Sequence, residues 1–84
     1  MKFKVGDRVI PIRPIEGNGT VVGVSGVVQF VESGGITILF DKELKNGWGP
    51  EQRNWFCTTR NFDSIKHLSG HKEFTDEEYE ALLV

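Results

Sequence analysis

From Phe3 to Leu68 the chain is a row of short runs rich in β-branched and aromatic residues, divided at close intervals by Gly, Asn and Pro. Such spacing favours short strands over helices. Phe3, Val5, Val9, Ile10 and Ile12 form the first run, broken by Gly6-Asp7. Pro11 and Pro14 confine it to a sheet edge or a strand end, because proline has no N–H for the ladder. Glu16-Gly17-Asn18-Gly19 is a turn signal. Thr20 to Val24 predicts a strand from its β-branched content. Ser25-Gly26 predicts a bend, with Val27 to Val31 continuing as the far half of the same bent strand. Glu32-Ser33-Gly34-Gly35 is a second turn, and Ile36 to Asp41 is the strongest strand of the chain.

Lys42 to Arg53 contains Asn46-Gly47 and Gly49-Pro50 and reads as a long surface loop. Over Asn54 to Arg60 a period of two puts Trp55, Cys57 and Thr59 on one face and Phe56, Thr58 and Arg60 on the other. A tight bend at Asp63-Ser64, between Phe62 and Ile65, leads to a last strand near Ile65 to Leu68. Five or six strands in a chain of 84 residues predict an all-β fold, a small barrel over residues 1–70.

The end of the chain changes period. Phe74-Thr75-Asp76-Glu77-Glu78-Tyr79 carries a capping box, with Thr75 as N-cap and Glu78 reaching back. Residues 71–84 therefore read as a linker and a short C-terminal α-helix, with Tyr79, Leu82 and Leu83 on one apolar stripe. So short a helix needs a surface to dock on, either the barrel or a partner.

Composition narrows the classes of function. Hydrophobic residues make up 38%, with two Trp and six Phe, enough for one small core. No apolar run approaches the ~20 residues of a membrane span. Met1 to Arg8 lacks a secretory apolar stretch, and one cysteine cannot close an internal disulfide. A cytoplasmic protein is the expectation. Residues 1–72 carry ten bases and seven acids, whereas residues 73–84 carry five acids and no base, for a net charge of −2. A mildly basic body is compatible with nucleic acid, although ordinary solvated charge is the plainer reading.

Little here points to catalysis. Cys57 lies mid-strand between Trp55 and Thr59 and reads as a small core hydrophobe. His67 and His71 have a spacing seen in zinc ligands, but Ser69-Gly70 opposes a helix between them and only one cysteine could join. Gly17-Asn18-Gly19 precedes a strand rather than a helix, so it is no phosphate loop. Asp41 and Glu43 read as ordinary loop acids. No catalytic residue, metal or cofactor is expected.

The order Lys-Val-Gly-Asp-Arg-Val, Gly-Asn-Gly-Thr-Val-Val-Gly-Val, Ile-Thr-Ile-Leu-Phe-Asp and Trp-Phe-Cys-Thr-Thr-Arg-Asn-Phe resembles the SH3-like small barrels. That group includes KOW-type, CAP-Gly-like and Mind-bomb repeat domains. The chain also resembles small barrels encoded by tailed bacteriophages. The resemblance covers about residues 3–68, and the CAP-Gly groove motif is absent from it. It implies a five- to six-stranded SH3-like barrel whose loops form a ligand surface.

Trp48, between Gly47 and Gly49-Pro50, is the residue of greatest interest in that surface. It either anchors a partner or caps the barrel end as its loop folds back. Arg53 and Arg60 flank the following strand and could help clamp an acidic group. The favoured expectation is a non-enzymatic protein-binding module using Trp48, Arg53, Arg60, Tyr79, Leu82 and Leu83. If phage-encoded, it would modulate or inhibit a host protein in the host cytoplasm. The alternative is a KOW-like nucleic-acid-binding domain using Lys2, Lys4, Arg8, Arg13, Arg53 and Arg60.

Overall fold

The computed structural model describes residues 3–68. Five strands, β1 (Arg8–Pro11), β2 (Gly26–Glu32), β3 (Gly35–Phe40), β4 (Asn54–Thr58) and β5 (Ile65–His67), form one antiparallel sheet in the order β4-β3-β2-β1-β5. The all-β expectation holds for these residues. The C-terminal helix, with Tyr79, Leu82 and Leu83, lies outside the described residues.

The period-two pattern directs Val28, Ile36, Ile38, Phe40 and Cys57 into the core. Connecting segments complete it with Phe3, Ile15, Val21, Val24, Leu44 and Phe62. Phe3 is fully buried, edge-on to Phe62 at 4.9 Å and stacked on His67 at 4.5 Å. It thereby ties the start of the described chain to the last turn and the last strand.

Three expectations need correction. Thr20 to Val24 is not a strand: Gly19–Val21 forms a 3-10 turn, capped by the Asn18 carboxamide oxygen accepting from the Thr20 amide at 2.9 Å. Val21 and Val24 enter the core three residues apart, so tertiary packing overrides their β propensity. β1 is also shorter than the first apolar run. It is an interior strand paired with β2 and β5, and Pro11 is tolerated because it is the final residue. Thr59–Ser64 is a 3-10 turn, which takes Thr59 and Arg60 off the strand and replaces the expected bend at Asp63-Ser64.

A bulge in β2 sets the face of Phe30. The pairing of β2 with β3 shifts register between Val28 and Phe30, a bulge at Gln29. Phe30 then falls opposite Thr37, which also pairs with Phe56 on β4. Phe30 is left 53% exposed on the side of the sheet away from the core.

Candidate functional site

The loop between β3 and β4 holds Trp48 on a firmly built backbone. Leu44 is buried and its amide donates to the Gln52 carbonyl at 3.0 Å. The Trp48 amide donates to the Asn54 carbonyl at 3.1 Å, and the Asn54 amide donates to the Trp48 carbonyl at 2.9 Å. The Asn54 side chain, only 2% exposed, donates to the Gln29 Oε1 at 2.6 Å. Gly49 has φ +72° and packs so closely on the Asn54 side chain that a Cβ would collide with it. Asn46, Glu51 and Gln52 also have positive φ, at 64°, 57° and 53°. Such conformations cost about 1–3 kcal/mol each and persist only where the surroundings enforce them.

The Trp48 ring nevertheless stays 48% exposed. The two sequence readings of Trp48 therefore divide between backbone and side chain. The loop does fold back onto β4, but it leaves a large part of an aromatic ring in water.

A second loop faces the first. Trp55 donates its indole N–H to the Ile15 carbonyl at 3.0 Å, fixing the segment that carries Glu16. Glu16 accepts from the Thr58 hydroxyl at 2.6 Å, from the Asn61 side chain, and from Arg60 at 3.4 Å. The Asn18 side chain donates to the Lys45 carbonyl at 3.1 Å, joining the two loops. Two adjoining clefts result. One of about 290 Å³ is lined by Glu16, Trp48, Trp55, Phe56 and Thr58. The other, of about 360 Å³, shares Glu16 and Trp55 and runs along Gly17 to Thr20, Lys45 and Asn46.

Among the sequence-predicted binding residues, Trp48 lines the first cleft and Arg60 stands near it through its Glu16 contact. Arg60 keeps 79% of its side chain exposed. Arg53 is committed elsewhere: its Nε donates to the Phe40 carbonyl at 2.7 Å and it pairs with Glu51 at 3.4 Å. Arg8 forms a bidentate pair with Asp41, at 3.0 and 2.7 Å. Two of the arginines considered for phosphate contacts, Arg8 and Arg53, are thus engaged by protein oxygens, and Lys2 lies outside the described residues.

The acids in these contacts respond to their partners. The Thr58 hydroxyl, followed by Asn61 and Arg60, holds Glu16 below the ordinary carboxylate value of 4.5. Arg8, followed by Ser25, holds Asp41 below its ordinary 3.8. A carboxylate with a lowered folded-state pKa contributes stability above its unfolded value and loses it as pH falls through the folded one. The denaturation midpoint should therefore drop as pH falls below 4.5. Glu16→Gln should flatten part of that dependence in denaturant titrations at successive pH values.

Cys57 is fully buried, and burial, with the Glu16 charge as a lesser cause, pushes its thiol up to about 12. It should react with a disulfide reagent only as fast as the protein opens. Rapid labelling of the folded chain would contradict that placement. His67 lies 3.0 Å from Asp7 and stacks on Phe3, an arrangement that knits β5 to the turn before β1. No group of three or more potential metal ligands occurs among the described residues.

Sequence reasoning missed Glu16, Trp55, Phe56 and Phe30 as surface-forming residues. Strand alternation already placed Phe56 on the face away from Cys57. Phe30 depends on a bulge that only the Gln29 interruption hinted at. No protein-family model, curated protein or solved structure matches this chain.

Proposed function

We propose that this chain is a non-enzymatic protein-binding module that docks a partner through Trp48 and the adjoining clefts. The observation that carries the reading is a half-exposed tryptophan on a backbone held by the Asn54 bridge and by strained, closely packed loop residues. Preorganised aromatic side chains give contact area at little cost in conformational entropy and dominate interface energetics. We read the domain as an SH3-like small barrel. Its meander of β2, β3 and β4, with β5 returning beside β1, is compatible with that reading. A host protein modulated by a phage-encoded barrel is the corresponding partner class.

The nucleic-acid alternative receives less support, because Arg8 and Arg53 already contact protein oxygens. Capture from the native cells by crosslinking should yield a protein held by the wild-type chain and lost with Trp48→Ala. Salt-sensitive binding to random-sequence DNA or RNA, with a Kd below about 1 μM at physiological salt, would contradict the proposal.

A further inference from the structure

β4 is an edge strand of the sheet. Its pairing with β3 fixes which backbone groups point outward. The Phe40 amide donates to the Arg53 carbonyl and the Thr59 amide to the Gly34 carbonyl, so alternate residues of this stretch face β3. Asn54, Phe56 and Thr58 carry the opposite phase, and Asn54 uses its outward N–H and C=O on Trp48. Among the described residues, no further backbone partner takes the outward N–H and C=O of Phe56 or the outward N–H of Thr58. The Thr58 carbonyl opens the Thr59–Ser64 3-10 turn as its N-cap and also receives a 3.4 Å contact from the Cys57 thiol, so it is the Thr58 amide that faces the open edge.

We propose that an extended segment of a partner protein adds to this edge antiparallel to β4, pairing with Phe56 and Thr58 in line with the Trp48 bridge. This rests on the protein-binding reading above and specifies its mode. The occupant must be extended, because only a strand offers donors and acceptors at the matching repeat. Its C-terminal end abuts Trp48, where an apolar side chain fills the cleft of about 290 Å³. Its N-terminal end passes toward Arg60, whose exposed guanidinium favours an acidic residue there. Unpaired edges are otherwise protected in native proteins, and the Trp48 bridge covers this one only at Asn54.

The probe is the tightest-binding member of a random dodecapeptide library selected on the intact chain. Its binding should protect the Phe56 and Thr58 amides from hydrogen exchange and leave those of Trp55 and Cys57, which face β3, unchanged. N-methylating alternate peptide residues should weaken binding about tenfold or more in one phase, by removing a paired donor, and little in the other. A peptide or captured partner that is lost with Trp48→Ala but leaves Phe56 and Thr58 unprotected overturns strand addition alone. A partner held equally by the wild-type and Trp48→Ala chains overturns the underlying reading. Failure to select any peptide, or protection of the two amides that grows with protein concentration alone and so assigns the edge to a second copy, also overturns the proposal.

Discussion

Replacing Phe3 by alanine is expected to cost about 3–5 kcal/mol of folding stability, the range for truncating a fully buried phenylalanine. Phe3 precedes the first strand, yet its ring lies against Phe62 in the last 3-10 turn and His67 in β5. The loss includes both apolar transfer and an unfilled cavity between segments remote in sequence. A domain of this size has about 5–15 kcal/mol in total, so the variant should be close to unfolding. Each kcal/mol moves Tm by about 4–8 °C here, which places its melting at least about 12 °C below wild type. A loss under about 1 kcal/mol in denaturant titrations would mean that the segment before β1 does not belong to the core.

Strands β3 and β4 were legible because their apolar residues occur at the period a pleated surface needs, and β2 and β5 because turn signals set off short runs there. Ile36, Ile38 and Phe40 could be read directly, and Cys57 followed from alternation with Phe56 and Thr58. Thr20 to Val24 misled for a physical reason. β-Branched residues register fit to a half-buried surface, and a 3-10 turn capped by Asn18 can bury Val21 and Val24 equally well. Phe30 was not legible, since one extra residue in β2 reverses the face of everything after it.

The candidate site was legible only in part. Trp48 stood out because glycines flank it, and the length of its loop was apparent. Glu16 did not stand out. Its role depends on Thr58, Asn61 and Arg60, more than forty residues away. The Asn54 bridge, which holds Trp48 in place, likewise leaves no local signature, because backbone pairing across a loop depends on where the chain returns.

The most decisive measurement is the affinity of the captured partner for wild-type and Trp48→Ala chains, by calorimetry well below the melting temperature of either. The ring is half exposed and the bridge to Asn54 uses only backbone atoms, so the substitution should barely alter stability. If the ring is the interface anchor, binding should weaken by about 2 kcal/mol or more, roughly a 30-fold rise in Kd. Equal affinity of two equally folded chains would show that Trp48 is not what the partner holds.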